Sequence, residues 1–242
     1  MVVTRSLLLG QWLLPLALRT CASAPAAESK EFTADESYFK YYMTTRPEQA
    51  GELNTYFFRH WVRPEDTVLD FGCGGGFLLN NLAGRRKLCI EINPLSRREA
   101  TAKNGVESHS SLAEIADASV DVAVSTHCLE HVQNPVAMLL ELRNKLRPGG
   151  RVVFLVPGHS NMKPGLARYK KTDPDHHIYE WSPQTLGNLL DSAGFEVEQA
   201  ERLAYTWYEG NFEKYKREGV AAWLGKAQKL NRNPQLRVVA IK

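Results

Sequence analysis

The run VLDFGCGGG sets Asp70 two residues ahead of Gly72, with Gly74, Gly75 and Gly76 close behind, and Glu91 follows at the end of the apolar run KLCIEI. Glycines let backbone come close to a ligand and take up positive φ. A helix starting after such a turn offers unpaired N–H groups to a ligand. An acid about 20 residues further on can accept both hydroxyls of a ribose. These residue types at this spacing describe a nucleoside pocket. A dinucleotide site would need glycine or alanine at the sixth position of G-x-G-x-x-G, and that position is Phe77, too bulky for the close helix–strand contact required. Asp70 would also repel a pyrophosphate, whereas it suits a ligand with a cationic end. For proton transfer the candidates are His127, His159, His176 and His177, because free imidazole titrates near pH ~6.5. His127 is best placed by order, just after an apolar strand.

The pocket needs a scaffold, and the surrounding pattern supplies one. TVLDF (67–71), KLCIEI (87–92), VES (106–108), VDVAVS (120–125) and RVVFLV (151–156) read as strands. They are continuous apolar runs, as expected for strands covered on both faces of a parallel sheet. Helices are expected from Phe77, from Pro94 to about Lys103, and through Leu129–Leu146 up to RPGG at 147–150. Strand–helix alternation at this spacing predicts an α/β fold, a doubly wound and mostly parallel sheet. Residues 157–180 have no period and read as a loop at the ligand edge. Ser182, Pro183 and Gly194 bracket a further helix, with Ser182 as N-cap. FEVEQAERL and QLRVVAIK alternate like strands and would pair antiparallel. Between them, about 205–234 reads as an insertion with a helix near Glu213–Lys229.

VLDFGCGGG, CIEINP, SVDVAVSTHCLEHVQNPVAMLLELRNKLRPGG, RVVFLVP and HHIYEWSPQTLGNLLDSAGFEV occur in this order across about 65–200. With these pieces the sequence resembles the class I S-adenosylmethionine-dependent methyltransferases, most of all their type 11 domain. The resemblance implies a Rossmann-like seven-stranded sheet with an antiparallel last strand and S-adenosylmethionine as cofactor. It implies that Asp70, Gly72, Cys73 and Gly74 surround the methionine part, that Glu91 takes the ribose, and that Ile92 packs on adenine. Ser111 and Leu112 would frame the adenine edge, although the acid often found in that loop is missing from HSSL. His127 would lie below the sulfur, and LEH (129–131) would open the following helix. Tyr41 or Tyr42 would close over the cofactor and Arg46 would meet its carboxylate, or this aromatic segment is simply a helix packed on the sheet flank. The implied activity is methyl transfer to a small molecule by in-line displacement, with His127, His176 and His177 as candidate bases. The competing readings are a catalytically silent binding or assembly protein of the same fold and a nicotinamide-dependent oxidoreductase.

Composition bounds the partners. The net charge is +3, and it falls to +1 without the first 27 residues, which hold Arg5 and Arg19 and no acid. No concentrated basic face for nucleic acid is expected. Four cysteines, Cys21, Cys73, Cys89 and Cys128, form no Cys-x-x-Cys pair and read as small buried hydrophobes. The DPDHH segment (173–177) lacks ligand spacing, so no metal is expected. Residues 1–27 carry an apolar stretch of about 12 residues, too short to span a bilayer, followed by CASAPAA. They read as a targeting or disordered leader for an organelle (mitochondrion or plastid) or the secretory route, the protein being otherwise cytoplasmic. Residues 28–64 read as an N-terminal helical cap on the 65–242 domain.

Overall fold

The computed structural model describes residues 36–44, 47–158, 177–203, 211–220, 222 and 235–242. All belong to the unit Phe32–Lys242. The leader, Arg46, His159, His176 and most of the 205–234 insertion therefore lie outside the described residues, as does the side chain of Tyr41.

Two helices come first, α1 (Glu36–Thr44) and α2 (Pro47–Phe58). Strands and helices then alternate as β1 (Thr67–Phe71), α3 (Phe77–Asn81), β2 (Arg86–Ile90), α4 (Pro94–Asn104), β3 (Glu107–His109), β4 (Val120–Thr126), α5 (Pro135–Lys145) and β5 (Leu146–Pro157). The chain continues through α6 (Pro183–Ser192), β6 (Glu196–Leu203), α7 (Asn211–Glu218) and β7 (Gln235–Ile241). The described residues form a seven-stranded sheet in the order β3-β2-β1-β4-β5-β7-β6. The pairs β2–β1, β1–β4, β2–β3 and β4–β5 are parallel, and β7 runs antiparallel to both its neighbours. No helix among the described residues is long and apolar enough to cross a membrane.

The continuous apolar strands follow from burial of both faces. Along β5, Val152, Phe154 and Val156 face one core, while Val153 and Leu155 face the other. The first core is closed by Leu139 and Leu142 of α5 and Leu186 and Leu190 of α6. The second is closed by Phe57 and Phe58 of α2, Leu78 and Leu79 of α3, and Ala100 of α4. Each of the leucine and phenylalanine side chains among these contributes roughly 1.5–3 kcal/mol on leaving water.

Helix ends are set by local chemistry. Asn93 caps α4 through its Oδ1, which accepts from Leu95 and Ser96 N–H, and Gly105 ends it at φ 62°. Ser182 caps α6 with a reciprocal bond from Thr185. Three expectations need correction. LEH does not open a helix: Leu129–His131 is a separate 3-10 turn, because Asn134 caps α5 and Pro135 occupies its first turn. Strand β2 stops at Ile90, so Glu91 is just past it. Cys73 and Cys89 are joined as a disulfide. Their spacing concealed this, but the parallel register sets Phe71 beside Ile90 and brings the two cysteines to a Cα separation of 5.6 Å. Of the helix expected near Glu213–Lys229, α7 covers the start, and residues 221 and 223–229 lie outside the described residues.

Candidate active site

Order in the sheet reverses between β1 and β4, since the chain winds outward from β1 through β2 and β3, then returns to build β4 and β5 on the other side. Crossovers leave the sheet in opposite directions there, which opens a crevice beyond the carboxyl ends of the strands. The residues after β1, β2 and β4 all lie at that end of the sheet.

The loop after β1 holds Gly72, Gly74 and Gly76 at φ 78°, 54° and 76°. At Gly72 a side chain would also run into Cys128, and at Gly74 it would meet the Tyr42 hydroxyl at 2.6 Å. The loop is fastened to β2 by the Gly72 N–H, which donates to the Ile90 carbonyl at 2.8 Å. Glu91 binds the loop directly: its Oε2 accepts from Gly74 N–H at 3.0 Å and its Oε1 from Asn93 N–H at 2.8 Å. Arg97 of α4 holds the same segment by donating to the Glu91 and Ile92 carbonyls. A carboxylate oxygen has lone pairs for more than one donor, so Glu91 keeps capacity for ligand hydroxyls. Burial pushes its pKa up, and the N–H groups of Asn93 and Gly74 pull it back. Ile92 beside it is 63% exposed, an apolar side chain held at the rim of the crevice.

Asp70, near the end of β1, is only 2% exposed. Its Oδ1 is buried without a hydrogen-bond partner among the described residues. Burial and the nearby Glu91 push its pKa up to about 8. A buried carboxylate is costly unless paired, and none of the described residues supplies a cation or donor to that oxygen. The amino-acid ammonium of S-adenosylmethionine would meet that need, and its ribose diol would meet Glu91; the residues present fit that cofactor.

A second cluster follows β4. His127 takes φ 51°, a conformation that is uncommon outside glycine and recurs at functional sites. Its N–H donates to the Leu155 carbonyl at 2.9 Å. Cys128 abuts Gly72, and its thiol is pushed up by burial and by Glu130, Glu91 and Asp70. The two clusters are therefore neighbours. Glu130 is 1% exposed, and burial raises its pKa to about 8. Its Oε1 lies 4.0 Å from both His127 Nδ1 and His177 Nε2. Burial, with His177 and His131 nearby, lowers the His127 pKa, and a hydrogen bond with Gln235 opposes this. The Glu130 carbonyl accepts from Ile178 and Tyr179 N–H, which lays the segment after residue 176 across the turn.

Asp70, Gly72, Gly74, Glu91, Ile92, His127 and His177 thus come together at one end of the sheet. Cys73 does not join them through its side chain, which is bonded to Cys89 and packed in the core. Ser111 caps the short 3-10 turn at Leu112–Glu114, and Leu112 is buried in the core. Of the aromatic segment, Tyr42 reaches Gly74, whereas α2 packs on the sheet flank. Glu130 and His131 are not among the residues expected at the site from the sequence; the local signal for them is H-x-x-E-H at 127–131.

Residues 42–200 match the family model described as a methyltransferase domain. A probable S-adenosylmethionine-dependent methyltransferase from Mycolicibacterium smegmatis is 33% identical over 162 residues, 61% of this chain and 62% of that protein. A ubiquinone biosynthesis O-methyltransferase from Xanthomonas euvesicatoria is 26% identical over 183 residues, 68% of this chain and 71% of its own. The match thus spans under two thirds of the Mycolicibacterium protein's length. Among solved structures, an S-adenosylmethionine-dependent methyltransferase from Archaeoglobus fulgidus superposes with a TM-score of 0.60 at 19% identity, covering 85% of this chain and 99% of that one. Sequence match and sheet order agree, and the chain belongs to the methyltransferase-domain family, within the class I S-adenosylmethionine-dependent methyltransferases.

Proposed function

We propose that this protein transfers a methyl group from S-adenosylmethionine to a small-molecule acceptor. One observation carries the reading: Asp70 and Glu91 flank the glycine turn from the ends of adjacent strands, and a buried Asp70 oxygen has no hydrogen-bond partner among the described residues. S-adenosylmethionine, when bound, supplies a methyl group already activated on a sulfonium. The protein's share is alignment and exclusion of water. Asp70 would hold the amino-acid end, Glu91 the ribose, and Ile92 the adenine face. Tyr42 stands over Gly74 and would cover the cofactor. His127 and His177 would line the acceptor side, and His127, held at the end of β4, would orient the attacking atom.

A small acceptor is favoured because the crevice is bounded from two sides. Tyr42 of α1 lies on the glycine loop, and the segment with stacked Tyr179 and Trp181 lies on the turn carrying Glu130. The Xanthomonas relative, named for ubiquinone biosynthesis, points the same way. The test is incubation of the full chain with methyl-labelled S-adenosylmethionine and an extract of its native host. Label in the low-molecular-weight organic fraction supports the proposal. Label confined to protein or nucleic acid would overturn the acceptor class, and no transfer to any fraction would overturn the activity.

A further inference from the structure

We propose that Glu130, His131 and His177 form a binding site for a divalent transition-metal ion beside the acceptor position. One ligand atom from each of these residues lies within 4.8 Å of the others. Glu130 Oε1 and His177 Nε2 are 4.0 Å apart. Bonds of about 2.0–2.2 Å around a tetrahedral ion separate its ligand atoms by roughly 3.3 Å. Closure by roughly 0.7 Å for the 4.0 Å pair, and by at most roughly 1.5 Å for the others, would complete the site. Both Glu130 oxygens are buried and without hydrogen bonds among the described residues. A carboxylate buried in that way is expensive unless a charge compensates it, and a cation held also by two imidazoles is such a charge.

The backbone gathers these ligands from two directions. Glu130 and His131 ride on the 3-10 turn after β4. His177 comes from the segment whose next two N–H groups, Ile178 and Tyr179, donate to the Glu130 carbonyl at 3.0 and 3.2 Å. The rings of His131 and His177 meet edge to face with centroids 5.0 Å apart. Two imidazoles and one carboxylate suit zinc or a similar first-row ion better than magnesium or calcium, which prefer all-oxygen shells. Three protein ligands leave coordination positions for another molecule.

His127 joins this cluster to the glycine loop. Its Nδ1 is 4.0 Å from Glu130 Oε1, and the next residue, Cys128, abuts Gly72. An ion here would therefore stand next to the cofactor crevice. If the methyltransferase reading holds, the open positions take the acceptor's own hydroxyl or thiol. The ion would lower that group's pKa so that its proton leaves to solvent before it attacks. The acceptor class narrows to small molecules with a metal-binding oxygen or sulfur.

Metal-free full-length protein should bind one zinc ion per chain in a calorimetric titration, and cobalt in its place should give visible ligand-field bands. His177→Ala should weaken zinc binding about tenfold or more and remove the cobalt bands. Glu130→Gln should do the same, and His177→Ala, at a partly exposed position, serves if that variant fails to fold. S-adenosylhomocysteine binding is measured on the same samples. Zinc affinity unchanged in both folded variants, or no zinc binding by the parent, would overturn the metal site while S-adenosylhomocysteine still binds. Loss of S-adenosylhomocysteine binding in the parent itself would instead count against the methyltransferase reading.

Discussion

Glu91 stands close enough to Asp70 to raise the cost of ionising it, and the two residues' predicted consequences differ. Asp70 is pushed up to about 8 by burial and by Glu91, whereas an unfolded aspartate titrates near ~3.9. Between those values the folded chain holds more protons than the unfolded one. Stability of the ligand-free protein should therefore fall as pH rises from about 4 to about 8 and then level off. Glu130, also raised to about 8, adds a slope of the same sign. Asp70→Asn isolates the first contribution: the variant should gain on the parent as pH rises, seen in denaturant midpoints at matched pH, and parallel curves would refute the account. Glu91→Ala should weaken S-adenosylhomocysteine binding by about 1–3 kcal/mol, because Gly74 and Asn93 N–H lose their acceptor and the ribose loses its own. His127→Asn keeps a residue that tolerates positive φ. It should leave S-adenosylhomocysteine affinity near the parent's while turnover falls about 10²-fold, the scale of a misplaced reacting group.

Elements act on the site through close backbone approaches. Gly51 of α2 is a case where two magnitudes compete. Alanine at an ordinary helix position gains up to about 1 kcal/mol over glycine. Here its Cβ would lie 2.5 Å from the Phe77 backbone at the start of α3, and backbone cannot yield as a side-chain tip can. Overpacking of that kind costs about 1–3 kcal/mol, so Gly51→Ala should lower the melting temperature by several degrees. A rise would show that α2 is free to move off α3. The strands and most helices were legible in the sequence because apolar runs, Pro at first turns and capping residues are local signals. The turn at Leu129–His131 was not, because its leucine continues the helical spacing of α5 and only Asn134 and Pro135 mark the restart. Ser111 and Leu112 are assigned to the adenine edge only by resemblance, and their cap and core positions depend on the shape of the loop.

At the scale of the molecule, the crevice exists because the sheet reverses its winding beside β1. The two halves of the site then arrive from sequence-distant loops. The glycine turn and Glu91 could be paired from sequence because β1 and β2 are consecutive and parallel. The meeting of His177 with Glu130, and of Cys73 with Cys89, required the register of the sheet and the path of the chain after β5. The cofactor pocket is the feature on which the remaining inferences rest. Its most direct test is calorimetric titration of S-adenosylhomocysteine, and separately of NAD, into the full chain and into Glu91→Ala. The account predicts saturable binding of S-adenosylhomocysteine at one site, weakened in the variant, and no heat from NAD. Saturable NAD binding, or S-adenosylhomocysteine binding that Glu91→Ala leaves unchanged, would contradict it.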